Sequence, residues 1–189
     1  MPQGFLGAIG VLWVLFLLYW AIAARQQKNT QQREDWKGRL VDTLPFMFVS
    51  FLLVGRRALP ASLTTRLFPS SLALDASCFI VTALGLAFAV WARLHLGRDW
   101  APTVVIKVDQ ALIRTGPYRW VRHPIYSGML LALGATALAV GEGRAALAFA
   151  LAFIGFLRRI CAEEKCLAAI FPDYENYRRE TVALIPFIF

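Results

Sequence analysis

Two short segments of this 189-residue chain bring together residue types that do chemistry. The first is Gly116-Pro117-Tyr118-Arg119-Trp120-Val121-Arg122-His123-Pro124-Ile125-Tyr126-Ser127-Gly128. Proline at the opening of a helix costs no hydrogen bond, and the free amides and positive dipole end there attract anions such as a cofactor carboxylate. Arg119, Arg122 and His123 reinforce that field, while Tyr118 and Tyr126 add aromatic faces and hydroxyls. The same composition also suits a plain juxtamembrane anchor, with Tyr, Trp and Arg at the lipid headgroups. The second segment is Arg158-Arg159-Ile160-Cys161-Ala162-Glu163-Glu164. Arg159 and Glu163 are four apart and share one helix face. A surface ion pair is the simplest reading, but ionisable groups beside a membrane span are costly and usually functional. A carboxylate here suits the positive end of a cofactor or ribose hydroxyls, and an arginine grips a substrate carboxylate in a two-pronged contact.

Other chemical signatures fail on context. Gly141-Glu142-Gly143-Arg144-Ala145-Ala146 matches the letters of a dinucleotide fingerprint. It lies in a short turn between two apolar stretches, without the strand and βαβ unit through which that fingerprint works. The sequence has no Walker A loop and no H-E-x-x-H. Cys78, Cys161 and Cys166 follow no metal-ligand spacing and read as single thiols in or beside apolar helices.

The elements that must position these segments are membrane helices. Hydrophobic residues make up 58% of the chain and its mean hydropathy is +0.56, above the roughly 45–50% apolar share of soluble domains. Residues 4–24 carry no charge and are long enough to cross a bilayer. The Ala21-Ile22-Ala23 run resembles a signal-peptidase site, but the basic start of a signal peptide is missing, which favours a retained helix. A second apolar stretch covers 40–55, interrupted by Asp42 and Pro45, and is expected to tilt, kink or turn back. Further spans are expected over 70–92, over 124–141, and from 144 to 157, the last running on through the charged segment. The expected fold is therefore all-α: a polytopic bundle of about five transmembrane helices, with a cofactor pocket at their cytoplasmic ends. With the N-terminus outside, the internal segments hold sixteen Lys/Arg and the external loops four, a strong positive-inside bias. That places both chemical segments on the cytoplasmic face. The net charge of +8 then needs no nucleic-acid partner, because the basic residues form no single stripe.

From about Leu94 to Phe189 the chain resembles the isoprenylcysteine carboxyl methyltransferase and phospholipid methyltransferase family of membrane enzymes. The resemblance rests on GPYRWVRHPIYSG, then RICAEEKCL, then FPDYENYRRETVALIPFIF, in that order. It implies a division into N-terminal helices over 1–92 and a catalytic region over 93–189. It implies S-adenosylmethionine as cofactor and a lipid or prenylated small-molecule substrate that arrives from the surrounding membrane lipids. By motif, Gln110, Ala111, Leu112, Ile113 and Tyr118 resemble the family's cofactor wall, and His123, Pro124, Ile125 and Tyr126 its cofactor-contacting helix start. Glu163 resembles its acidic cofactor contact. Arg159, with Glu164 nearby, falls on the substrate side, and Arg159 is the residue placed at the reacting carboxylate. Pro172 stands where the family usually has glycine, and Ala183 where proline often precedes the final turn, so the path of the tail is open. The first two spans carry no resemblance.

A carboxylate acceptor is ionised at neutral pH and needs no general base, which fits the lack of a Ser-His-Asp or Cys-His arrangement. An amine acceptor needs a base, for which His123 and Glu164 are the nearest groups. Two alternatives stand beside the methyltransferase. An NADPH-dependent sterol-type membrane reductase has a similar C-terminal region, but the paired Glu163-Glu164 suits a 2′-phosphate cofactor poorly. A non-catalytic carrier or scaffold has no need of two charged segments on one face.

Overall fold

The computed structural model describes residues 3–23, 25, 47–53, 55–97 and 112–184. Gln110 and Ala111, and most of the first half of the 40–55 stretch, lie outside these residues. Among the described residues, the longer helices are α1 (Gln3–Ala23), α2 (47–53), α3 (Leu72–Leu96), α4 (Pro124–Val140), α5 (Gly143–Ile170) and α6 (Tyr174–Glu180). Among the described residues there is no β-sheet, only isolated bridges at Arg66–Glu142 and Val121–Val182. Three helices, Gly4–Ala23, Leu72–Leu96 and Gly143–Ile170, are long and apolar enough to cross a membrane, and α4 is a shorter apolar helix. The chain is thus a polytopic helical membrane bundle. The expected fourth span is the helix α4, which Pro124 starts and which Gly141, at φ 64°, stops in the left-handed conformation that glycine adopts without penalty. Exposed side chains such as Val11, Val14, Leu18, Ile80, Leu84 and Ile154 belong against lipid rather than water.

The helix ends follow local sequence. Ser71 caps α3 by accepting the Leu74 amide at 3.2 Å, Asp75 lies in its first turn, and Arg93 and His95 in its last, all in keeping with the helix dipole. Arg93 also reaches across the bundle, donating to the Ala23 carbonyl at 2.8 Å and so closing the end of α1. At the opposite end, buried Arg144 pairs with buried Glu142 at 2.6 Å and donates to the Leu52 carbonyl at 2.7 Å and to Leu53. The turn that spelled a dinucleotide motif is therefore a clamp that satisfies the last carbonyls of α2.

Packing centres on α3 against α4. Their backbones meet at Gly85 and Gly128, where a Cβ added to Gly128 would lie 2.5 Å from the Gly85 carbonyl oxygen. Ala89 and Ala132 continue this seam of small residues, and Phe16 of α1 packs on it with Trp13 and Trp20 alongside. Without a hydrophobic driving force between helices in lipid, such close approach and interhelical hydrogen bonds hold the bundle together. The Trp13 indole donates to Thr136 at 3.0 Å, joining α1 to α4. A shallow apolar crevice among Gly4, Phe5, Ala8 and Phe79 lies at the other end from the charged segments and offers no polar group.

Replacing Gly128 by valine should destabilise the bundle by about 1–3 kcal/mol, because the added carbons meet backbone. Gly7→Ala, where nothing lies within 4 Å, should be neutral or slightly stabilising. Thermal unfolding of the two variants in detergent checks the contrast.

Candidate active site

The start of α4, the polar end of α5 and the segment after α6 converge on His123. Pro117 and Tyr118 lie in a short 3-10 turn over Gly116–Arg119 that leads into α4. Gly116 has φ 59° and sits against the His95 ring, so a side chain there would collide. His123 is buried (6% exposed), and its two ring nitrogens face two different carboxylates. Nδ1 lies 3.5 Å from Glu163 and Nε2 lies 3.3 Å from Glu164. Glu163 and Glu164 are adjacent on a helix and point about 100° apart, so the imidazole bridges what their backbone separates.

Each carboxylate has its own set of donors. The Tyr126 hydroxyl donates to Glu163 Oε1 at 2.5 Å, and Arg159 Nε donates to the same oxygen at 3.1 Å and to the Tyr126 hydroxyl at 2.8 Å. Arg122 Nε donates to Glu164 Oε1 at 2.7 Å, with Arg178 Nε 3.7 Å from Oε2. The Tyr126 ring is stacked between His123 (5.8 Å, 18°) and Phe156 (5.0 Å, 23°). Arg159 and Glu163 keep 19% and 24% of their side-chain surface open, against 5% for His123. Arg159 and Glu163 are thus more open than His123, which lies behind the two carboxylates.

The tail completes the enclosure. Val182 and Ala183 run beside the start of α4 and accept the Arg122 and His123 amides at 2.8 and 3.1 Å. Arg122 Nη1 reaches the carbonyls of Arg178, at 3.0 Å, and of Thr181, and the Ser127 hydroxyl donates to Leu184. The amides of Arg122 and His123, just before the helix, are thus engaged by the chain itself. Pro172 sits at the second position of the Phe171–Tyr174 turn, where proline is favoured, so its departure from the family pattern leaves the tail intact. Arg114 fastens the turn by bonding Asp173 at 2.5 Å and lying 5.2 Å over the Tyr177 ring.

Of the residues singled out in the sequence, Tyr126, His123, Arg159, Glu163 and Glu164 come together in one network. Pro124 and Ile125 are buried behind it, and Tyr118, Ile125 and Ala92 form an apolar wall against which Ile113 packs. Leu112 is half-buried, and Arg119 and Trp120 are exposed. Sequence reading missed Phe156, Arg178, Tyr174 and Tyr177. The spacing of Tyr174 and Tyr177, three apart in an amphipathic tail, was the available signal for the last two.

Burial alone would lower the His123 pKa, but hydrogen bonds and charge attraction from Glu163 and Glu164 outweigh it, and the imidazole is held above its ordinary value. Burial pushes the Tyr177 phenol up to about 12, and its hydroxyl donates to the Tyr118 carbonyl at 2.7 Å. The Tyr174 hydroxyl is buried with no hydrogen-bond partner among the described residues.

Two outcomes follow from these groups. Tyr174→Phe should raise stability by about 1 kcal/mol, since it removes a buried hydroxyl without a partner, and Tyr177→Phe should lower it by about as much. Unfolding in detergent reads both. Because His123 binds its proton more tightly folded than unfolded, its contribution is full below pH about 6.5 and fades as pH rises through its raised folded value. The stability margin of the native protein over His123→Asn should therefore shrink with rising pH, and a margin that grows would contradict the two-carboxylate arrangement.

Residues 77–169 match the model of the isoprenylcysteine carboxyl methyltransferase (ICMT) family. The chain is 34% identical over 101 residues to a protein-S-isoprenylcysteine O-methyltransferase of Schizosaccharomyces pombe, covering 51% of this chain and 43% of that one. It is 37% identical over 97 residues to the cobalt-zinc-cadmium resistance protein CzcN of Cupriavidus metallidurans, covering 48% and 43%. It is 45% identical over 73 residues to a methanethiol S-methyltransferase of Crocosphaera subtropica, covering 38% and 28%. The chain spans less than half the length of these relatives. The matched region holds the start of α4 and the charged end of α5, the two segments that meet at His123, and over it this chain is similar to the isoprenylcysteine carboxyl methyltransferase family.

Proposed function

We propose that this chain is a membrane methyltransferase that uses S-adenosylmethionine to methylate the carboxylate of a lipophilic, isoprenylcysteine-like acceptor. The observation that carries the reading is one accessible carboxylate and one accessible guanidinium, Glu163 and Arg159, side by side where a lipid-facing helix meets the polar end of the bundle. The donor set suits the cofactor: Glu163 for its cationic groups or ribose hydroxyls, and the Tyr118–Ile125–Ile113 wall for a flat apolar face. When bound, S-adenosylmethionine supplies a methyl group activated on a sulfonium.

The chain's own part is placement. Arg159 orients the acceptor carboxylate, Glu163 fixes the cofactor end, and the buried Tyr118 and Ile125 keep water from the reacting groups. No proton has to move at the acceptor, so His123 serves as a fixed cation between Glu163 and Glu164 rather than as a base. The positive-inside bias supports a cytoplasmic site with the N-terminus outside. Methyltransferase names among the relatives weigh for a methyl donor over NADPH.

A thiol acceptor is the second reading, favoured by the likeness to methanethiol S-methyltransferase. The pH profile separates the two. A carboxylate is ionised throughout the neutral range, whereas a thiol gains thiolate as pH climbs toward about 8.5. With an isoprenylcysteine acceptor, the rate should be flat from pH about 6.5 to 8, and a tenfold rise per pH unit with a thiol alone accepted would move the chain to thiol methylation.

Titration of the purified protein with S-adenosylhomocysteine, and with NADPH in parallel, tests the class. Saturable binding of the first, weakened tenfold or more in Glu163→Gln, is expected from loss of a charge-assisted contact. Binding of NADPH alone would sink the proposal. Arg159→Ala should impair use of the acceptor more than binding of the cofactor.

A further inference from the structure

We infer that Tyr126 is a positioning residue that couples the cofactor and acceptor sites, so that occupancy of one tightens the other. The inference rests on the roles proposed above for Glu163 and Arg159. A single hydroxyl stands between them, donating to Glu163 Oε1 at 2.5 Å while accepting from Arg159 Nε at 2.8 Å. Arg159 bonds the same Glu163 oxygen at 3.1 Å. The acid that would hold the cofactor's cation and the base that would hold the acceptor's anion thus satisfy one another through one shared oxygen and one phenol.

A cationic ligand at Glu163 competes with Arg159 for that oxygen. As it binds, the attraction holding the guanidinium to Glu163 weakens, and Arg159 gains affinity for an anion. The converse holds by thermodynamic reciprocity. Tyr126 makes this an ordered exchange rather than a collapse, because its ring cannot swing freely between the stacked faces of His123 and Phe156. The phenolic oxygen keeps its bond to Arg159 Nε and holds the guanidinium in place while its Glu163 contact is exchanged. The phenylalanine ring lacks that oxygen, so Tyr126→Phe removes the link while leaving the stack.

The test is the coupling factor in full-length, detergent-solubilised protein. The dissociation constant of S-adenosylhomocysteine is measured by calorimetry with and without saturating N-acetyl-S-farnesylcysteine, and again with its methyl ester. Binding should tighten roughly tenfold with the free acid and not with the ester, which has no anion for Arg159. In Tyr126→Phe the ratio should fall severalfold, whatever the absolute affinities, with only the direct Arg159–Glu163 contact left to couple the sites. A merely structural tyrosine would shift both affinities and leave their ratio intact. If that variant does not fold, Glu163→Gln answers the same question, because the neutral amide no longer sets the cation against Arg159 and the ratio should approach one. Coupling that survives these substitutions undiminished, or wild-type protein that binds both ligands without coupling, would overturn the inference and leave the methyltransferase reading standing. Wild-type protein that binds neither ligand would overturn both.

Discussion

A buried imidazole held between two neighbouring carboxylates organises this molecule. An unpaired ion at His123, Glu163 or Glu164 would be expensive at the edge of a membrane, and each is tolerated because the others are present. The pairing ties the first residue before α4 to the far end of α5. Through Arg122, which serves Glu164 and the carbonyls of Arg178 and Thr181 at the end of α6 together, it also fixes the tail. Removing one partner leaves a buried charge uncompensated, which is why breaking such networks costs far more than their net contribution suggests.

The bilayer explains why this polar network sits at a helix end and why so little else in the bundle is polar. Backbone groups must be satisfied within the helices, and where a helix stops another element has to supply the partner. Arg93 does this for Ala23 at one end and Arg144 for Leu52 at the other. These arginines look alike in composition to Arg159, yet they complete helix ends, while Arg159 retains an open face beside Glu163. The close Gly85–Gly128 crossing holds α3 and α4 rigidly enough for α4 to present His123 and Tyr126 at fixed positions.

Much of the fold was legible because apolar length is a local property. The stretches over 4–24, 70–92 and 144 onward became Gln3–Ala23, Leu72–Leu96 and Gly143–Ile170, with shifts of a few residues at their ends. Proline at 124 and glycine at 141 bounded α4 as their backbone preferences require. Of the site, the meeting of the RHPIY and RRICAEE segments was legible from motif and order. What escaped depends on contacts between distant residues. Arg122 reaches Glu164 forty-two positions away and the tail carbonyls still further along, and nothing in its neighbours announces this. Phe156 reads as one more lipid-facing phenylalanine until its ring is seen stacked on Tyr126. The pairing of Val182 and Ala183 with the amides of Arg122 and His123 is likewise a tertiary property.

The central claim is that the methyl donor lies where α4 begins and α5 becomes polar. Photolabelling with radioactive S-adenosylmethionine, followed by peptide mapping, tests it most directly. The account predicts label within 112–126 or 156–164, suppressed by excess S-adenosylhomocysteine. Suppressible label confined to α1, or to the turn around Glu142, would contradict it.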